Sequence, residues 1–563
     1  MKKYVQLTVA FCILVACFSI LIMNQQKMVH LKIEGDAFYI AINIDNRTEM
    51  IYPWYEAKED VYYLFLPSCV NGDIIYVDGN IEINGLKVGK RFAWMQDEVY
   101  DIRINNTLYR SIFMKSANIP AFFVETESGS MDYLHESKEN AESGNITIIG
   151  SDGNVQYAGK LSKIAGRGNS TWIQNKKPYS IVLKDKYPLC GLKAGKEWKL
   201  LSLYFEHDKI HSKIIFDLGR RLGIENTPEC TWIDLYCHGE YKGLYLLTED
   251  ISKKTVEKGT YLIEKTIPQQ LRSDESSLST EQTGFLFRFA IPRHPEEEHV
   301  EEVTELVRTL DLLLPEGKAQ NYIDMESLAK QFLIDKIVME ADAMQMSTFF
   351  YIKGNKLSAG PLWDYDRAMG EILSDYAAPI EDLPNGMYGW YMPLYEKTEF
   401  RDMMIETYKD SLPYFYEILD RNIDEYEETL SASVKMDSVL MKSLGKFNET
   451  ISYQEYENYI RYLKFFLANR LNYLGELWEV TGVDFAIPES TGEWHKVTLM
   501  SSDDTPVDTL YIQDGEYIED IPVLDENKYI GWFIRGADGY DGKIFHRLLP
   551  VYEDMVLCAR ERP

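Results

Sequence analysis

The spacing of apolar and polar positions changes period several times along the chain, and the changes divide it. From Tyr4 to Met23 there is no alternation: YVQLTVAFCILVACFSILIM runs for 20 residues without a charge, behind the basic start Met1-Lys2-Lys3. A helix of that length spans roughly 30 Å, the thickness of a hydrocarbon core. Residues 1–27 are therefore predicted to be a signal anchor, a transmembrane helix with its N-terminus inside and everything beyond about Gln25 outside. Period-two alternation follows over 28–114, in HLKIEGDAFYIAINI, DVYYLFLP and DIIYVDGNIEINGLKVG, broken at Asn-Gly, Asp-Gly and Pro. This is the pattern of a small β domain.

Short strands continue over 115–165 (AFFVET, NITIIG, VQYAGK), and helical spacing then appears in three places. Ile210, Ile214, Leu218 and Leu222 recur every four residues, which predicts an amphipathic helix ended by Gly223. HVEEVTELVRTLDLLL and DMESLAKQFLIDKIVMEADA read as two more helices, the second capped by the Asp324/Ser327 region. Residues 400–480 are mostly helical, and Gly482 to Ser490 reads as a linker. Strands return over 490–563 in HKVTLM, DTLYIQDGEYIEDIPV, YIGWFI and VYEDMVLCAR. The predicted fold class is α+β: an anchor, a β domain over 28–114, a body over 115–482 and a small C-terminal β domain.

Composition narrows the function. The chain has 563 residues, 45% apolar and 26% charged, as globular proteins do. Its 59 Lys and Arg face 89 Asp and Glu, a formal net charge of −30. Such a surface repels phosphate backbones and excludes a nucleic-acid-binding role. Seven cysteines are scattered without a CxxC pair or Cys/His ligand spacing, which argues against structural zinc. Leu14-Val15-Ala16-Cys17 has the look of a bacterial lipoprotein processing box, with Cys17 the lipidated residue, so a lipoprotein is the alternative to the anchor. Ordinary cleavage of a signal peptide is the third reading, and all three place the body outside the cytoplasm.

Three clusters carry candidate chemistry. Gly166-Arg167-Gly168-Asn169-Ser170-Thr171-Trp172, followed by Lys176-Lys177-Pro178, is a glycine-rich turn with cations beyond it. Glycines let backbone N–H groups approach an anion, and Arg and Lys supply charge for phosphate. A plain hairpin with solvated lysines has the same pattern. Gly360-Pro361-Leu362-Trp363-Asp364-Tyr365-Asp366 places two carboxylates two residues apart after a strand and hairpin, a spacing that suits Mg²⁺ or Mn²⁺ and equally an exposed acidic loop. Glu340-Ala341-Asp342 ends an apolar helix, where a carboxylate opposes the helix dipole and could orient a hydroxyl.

In this order the motifs resemble the CotH family of spore-coat-type atypical kinases. The likeness runs over roughly residues 117–480. It is carried by IPAFFV (119–124), GRGNSTW…KKPYSIVL (166–183), EWKLL (197–201), Lys209-Ile210-His211, GEYKGLYLLTE (239–249) and GPLWDYDRAMG (360–370). The resemblance implies an atypical two-lobed protein-kinase-like body flanked by small β domains. It implies a 166–183 hairpin over ATP, with Arg167, Asn169 and Lys176 or Lys177 near the phosphates and Glu249 near the adenine or the metal–phosphate edge. Asp342 matches the catalytic-loop carboxylate and Asp364 the metal-binding one, with Asp366 a second candidate ligand. The C-terminal stretch, through Gly515-Glu516-Tyr517-Ile518 and Gly531-Trp532-Phe533, resembles the internalin-type β-grasp repeats of surface proteins, a stalk or adhesion module with Trp532 in its core.

Two positions depart from the kinase pattern. Five residues after Asp342 stands Ser347, where kinases carry a metal-binding Asn, and a neutral hydroxyl is a poorer Mg²⁺ ligand. His211 stands where many relatives carry Arg. The expected activity is transfer of the ATP γ-phosphoryl group to Ser or Thr of a surface or coat protein, with Mg²⁺ or Mn²⁺. The competing reading is a kinase-shaped scaffold or binding protein of the cell surface.

Overall fold

The computed structural model describes residues 28–562 except positions 36, 46, 71–73, 252–255, 341–344, 371–388, 445–455, 520, 526, 536–540 and 546–548. The apolar segment 4–23 and Cys17 thus lie outside the described residues, and no helix among those described is long and apolar enough to cross a membrane. The chain is a mixed α+β structure divided into two units: one of residues up to 202 with 231–247 and 429–445, the other of 203–230, 248–428 and 446–563.

In the first unit the alternating N-terminal strands form two sheets. One has the order Arg47–Ile51, Ala37–Ile44, Met28–Glu34, Ile74–Asp78, Arg91–Ala93. The other runs Trp54–Glu56, Val61–Leu66, Thr107–Lys115, Val99–Ile104, Ile81–Ile83, Leu86–Lys87. Strict alternation in Val99–Ile104 buries Tyr100, Ile102 and Ile104 and leaves Val99, Asp101 and Arg103 in water, as expected for a sheet with one wet face. Next comes a closed seven-stranded barrel, ordered Ala121–Thr126, Ala141–Ile149, Val155–Gly166, Tyr179–Tyr187, Gly195–Leu201, Glu240–Glu249, Cys230–Cys237. It closes by a parallel pairing of Phe122 with Leu235 and Phe123 with Tyr236. Phe122, Ile148, Ile181, Trp198, Leu235 and Leu247 fill it.

The end of helix Ile423–Leu444 is built into this unit. Met436 and Leu440 join the core of the N-terminal sheets, and two buried carboxylates fix the register. Asp437 accepts from Lys176 Nζ at 2.5 Å and from the Leu244 N–H at 3.0 Å, while Lys176 also donates to the Leu244 carbonyl at 2.7 Å. The side chains of the pair are 1% and 2% exposed. Gly243 has φ +112°, and a Cβ there would stand 2.3 Å from Asp437 Oδ1 and 2.6 Å from Lys176 Cε, so the close approach requires glycine. Asp234 accepts from Ser116, from Ser433 at 3.0 Å and from Tyr241 at 2.8 Å. Burial outweighs these three donors and holds its carboxyl up at about 6.

In the second unit the helix predicted from the Ile210 spacing spans His211–Arg221, with Ile214 and Leu218 buried and Gly223 at φ +77° past its end. Helix Met325–Val338 opens where Asp324 accepts the Ser327 N–H and stops at Met339, a left-handed residue with φ 52°. It is buried on nearly all sides, which marks a core helix rather than a surface one. It carries Asp335 toward a five-stranded sheet ordered Ser277–Ser279, Leu286–Ile291, Thr260–Thr266, Phe349–Lys353, Lys356–Ala359. Helices Glu297–Leu313, Tyr391–Tyr395, Thr398–Glu417 and Tyr456–Leu477 also belong to this part. Residues 483–493 run without regular structure, and a C-terminal sheet follows, ordered Pro506–Gln513, Trp494–Met500, Met555–Glu561, Tyr529–Arg535, Asp541–Ile544. Trp532 lies in its core and donates to the Pro522 carbonyl at 2.9 Å. Asp514 joins this sheet to helix Tyr456–Leu477: it accepts a fork from Arg461 at 2.6 and 3.1 Å, and binds His495 at 2.8 Å and the Thr491 N–H at 2.7 Å.

Breaking a buried pair strands one charge. Lys176→Met is expected to lower unfolding stability by about 3–5 kcal/mol, with much of the loss recovered in the Lys176→Met/Asp437→Leu double variant, measured by urea unfolding. A raised carboxyl makes the opposite contribution to the usual one: the unfolded chain ionises Asp234 near pH 4 while the folded chain resists until about 6. The stability advantage of wild type over Asp234→Asn should therefore shrink by about 3 kcal/mol as pH rises from 4 to 7. A pH-independent difference would remove this account.

Candidate phosphoryl-transfer site

The hairpin Phe349–Lys353/Lys356–Ala359 delivers the chain into the acidic motif. Gly360 donates to the Phe349 carbonyl at 2.8 Å and packs so closely that a Cβ would meet the Phe349 backbone at 2.6 Å. The motif is then pinned from beneath: Tyr365 Oη donates to Asp335 Oδ1 at 2.7 Å, and the Met369 N–H donates to the Val338 carbonyl at 2.7 Å. Asp364 is left exposed, with φ +67°. Ser347 also has positive φ, 55°, and its hydroxyl donates to Asp364 Oδ2 at 2.9 Å. Two touching polar residues in the left-handed region, where neither is glycine, are a local strain that the surrounding bonds must hold. Beside them is a cavity of about 10 Å³, room for one water, lined by Asp335, Glu340, Ser347, Asp364 and Tyr365 among others.

Negative charge accumulates here. Asp366 is half-buried, and loss of water together with the charges of Asp364 and Glu206 pushes its carboxyl up to about 8, against the pull of Arg367 and His211. Glu264, on strand Thr260–Thr266, is buried; desolvation and the Asp364 charge hold it at about 7 although Arg288 grips it with a fork at 2.7 and 2.8 Å. Glu206, Asp208 and His211 form a third buried group, their ligand-type atoms within 4.8 Å of one another. Much of that group is already engaged. Asp208 accepts the N–H groups of Ile210 and His211 at 2.7 and 2.9 Å ahead of the helix and meets His211 Nδ1 at 2.8 Å, and Ser212 donates to Glu206. A carboxylate at that helix start also suits the dipole.

The structure brings together Ser347, Asp364 and Asp366 and adds Glu206 and Glu264 to them. Asp342 lies outside the described residues; its neighbour Glu340 is buried. Glu249 is half-buried and accepts the Glu229 N–H at 3.0 Å. In the hairpin of the first unit, Arg167 is half-buried, and exposed Asn169 accepts from Lys138 at 2.9 Å. Lys176 is buried in its pair with Asp437. Lys177 donates to the Trp172 carbonyl at 2.7 Å and lies 5.1 Å from the centre of the Trp172 ring, with burial lowering its pKa. Glu206 and Asp208 carried a sequence signal, an acid-rich EHDKIH at a helix start; Glu264, in the strand TYLIEKT, carried none.

The donor set fits a hard divalent cation. Asp364, Asp366 and Ser347 offer only oxygen, the preference of Mg²⁺ and Mn²⁺, and a cation would relieve the burial and the like charges that raise the Asp366 pKa.

A family model described as CotH kinase protein matches residues 164–474, more than half of the chain. The chain belongs to the CotH family. The matched stretch begins at the end of strand Val155–Gly166 and reaches into helix Tyr456–Leu477, so it takes in the hairpin, the acidic motif and the helix entry at Asp208. No curated protein matches the chain.

Cation binding should displace the Asp366 proton. Mn²⁺ titrated into the protein at pH 7 is expected to release about one proton per ion, read by calorimetry in buffers of different ionisation heat. Release should fade above pH 9, and Asp364→Asn, which removes the like charge, should diminish it at pH 7.

Proposed function

We propose that this protein is a CotH-type phosphotransferase that moves the γ-phosphoryl group of ATP to Ser or Thr hydroxyls of a surface or coat protein. The observation that carries the reading is the contact between Ser347 and Asp364, residues 17 apart in sequence whose oxygens meet at 2.9 Å, beside Asp366, whose carboxyl burial pushes up to about 8.

Asp364 and Asp366, with Ser347, would hold Mg²⁺ or Mn²⁺, which when bound supplies charge neutralisation for the phosphates. Asp342 serves as the base. Its carboxylate accepts the acceptor hydroxyl's proton as the hydroxyl oxygen bonds to the γ-phosphorus and the bond from that phosphorus to the β–γ bridging oxygen breaks, leaving ADP. Little covalent help is needed, because phosphoryl transfer depends on alignment and on electrostatic compensation. Ser347 holds the exposed Asp364 in one orientation through its donated hydrogen bond, and Tyr365 fixes the backbone between the two acids by its bond to Asp335. Arg167, Asn169, Lys177 and Glu249 are the proposed nucleotide contacts, with Lys176 acting through its buried pair.

The body is proposed to work outside the cytoplasm, held by segment 4–23 or by a lipid on Cys17, with the C-terminal sheet as an internalin-type stalk or adhesion module. Mass spectrometry of the mature N-terminus distinguishes the two anchors. A second reading, a kinase-shaped scaffold, draws support from Ser347 in the place of Asn and from Lys176, whose ammonium is committed to Asp437 and the Leu244 carbonyl.

The test is incorporation of label from γ-labelled ATP with Mn²⁺. Asp364→Ala should abolish metal-dependent nucleotide binding, whereas Asp342→Ala should spare binding and remove transfer. If the wild-type chain neither binds nucleotide nor incorporates label, the scaffold reading stands.

A further inference from the structure

Lys265 is a buried cation whose ammonium meets backbone carbonyls. It sits on strand Thr260–Thr266, one residue from Glu264 and on the opposite face of the strand. The residue is 7% exposed, and burial lowers its pKa. Among the described residues no carboxylate pairs with it. Its ammonium donates instead to the Gln345 carbonyl at 3.0 Å and, more weakly, to the Thr266 carbonyl at 3.5 Å, and it lies 4.9 Å from the centre of the Phe285 ring. Burying an ammonium against neutral groups is costly, and those it meets among the described residues are neutral, so its environment calls for a reason.

The reason is the segment it holds. Gln345 begins the described turn 345–348, which carries Ser347 in its left-handed conformation to Asp364. The backbone N–H of Lys265 donates to the Thr348 carbonyl at 2.8 Å, so a single residue grips both ends of the turn, one by main chain and one by side chain. Gln270 Nε2 adds a weak contact to Met346 Sδ at 3.5 Å. A non-glycine residue with positive φ relaxes unless its neighbours prevent it. The charged hydrogen bond to the Gln345 carbonyl is of the stronger kind.

We propose that Lys265 is a positioning residue of the transfer site: its ammonium locks turn 345–348 so that the Ser347 hydroxyl is presented to Asp364. The inference rests on the phosphotransferase reading for its consequence in catalysis, but its structural half stands by itself. Among the described residues its contacts are with the turn, the Thr266 carbonyl and the Phe285 ring, so it acts through the turn.

The test compares Lys265→Met, which keeps the apolar stem and loses the ammonium, with Lys265→Arg, which restores a donor. The first readout is hydrogen–deuterium exchange of the full chain. Amides of 345–348 should exchange about tenfold faster in Lys265→Met, while helix Met325–Val338 keeps its protection, and Lys265→Arg should return most of the loss. The second is Mn²⁺ affinity, expected to weaken by about tenfold in Lys265→Met. The third is transfer, where kcat should fall while KM for ATP stays within about twofold. Should Lys265→Met lower global stability yet leave the exchange of 345–348 and Mn²⁺ affinity unchanged relative to the helix, the residue is merely structural and the proposal fails. If wild type itself shows neither Mn²⁺ binding nor transfer, the function reading fails, and the exchange of 345–348 still decides whether Lys265 locks the turn.

Discussion

The acidic centre depends on like charges being kept together in surroundings that water reaches poorly. Asp366 feels the charges of Asp364 and Glu206, and Glu264 feels that of Asp364; the chain answers with protons, with the Arg288 fork on Glu264 and with His211 and Arg367 near Asp366. None of this favours folding. Carboxyls raised to about 7 and 8 by burial first and by the nearby Asp364 charge are a standing cost, which a fold carries when the site has work to do. The polar frame below, Tyr365 on Asp335 and Met369 on Val338, keeps the motif from relaxing away from that crowding.

The first unit deals with buried charge differently. Lys176 and Asp437 are fully paired, and Asp437 takes a backbone N–H as well, so this pair is satisfied where the acidic centre is frustrated. A satisfied buried pair adds little net stability but penalises any other register. Together with Asp234 it explains why residues 429–444, far along the chain, belong with strands from the N-terminal third. A cationic hairpin that reads as a phosphate clamp thus divides its labour: one lysine is locked in the fold and the other half-covers an indole.

Much of the fold was legible. The period-two runs over 28–114 became strands, the Ile210–Leu222 spacing became helix His211–Arg221, and Asp324 caps its helix as its neighbour Ser327 suggested. Hydrophobic periodicity reports local geometry, and these elements follow it. The seven-stranded barrel was not legible, because closure depends on the parallel pairing of Ala121–Thr126 with Cys230–Cys237, more than a hundred residues apart. Pairing at that distance leaves no periodic trace in either strand.

For the site, the sequence alone determined the chemical inventory: the paired acids at Asp364 and Asp366, a hydroxyl at Ser347, the glycine-rich basic turn, and membership of the CotH family. Local motifs carry that information because residue type and short spacing are properties of the chain itself. Tertiary structure alone decided that Ser347 reaches Asp364, that Glu206 stands near Asp366 and Glu264 near Asp364, that Lys176 is paired with Asp437, and that Lys265 donates to the Gln345 carbonyl. Each of these depends on distance through space and on exclusion of water, and neither quantity exists until the chain has folded.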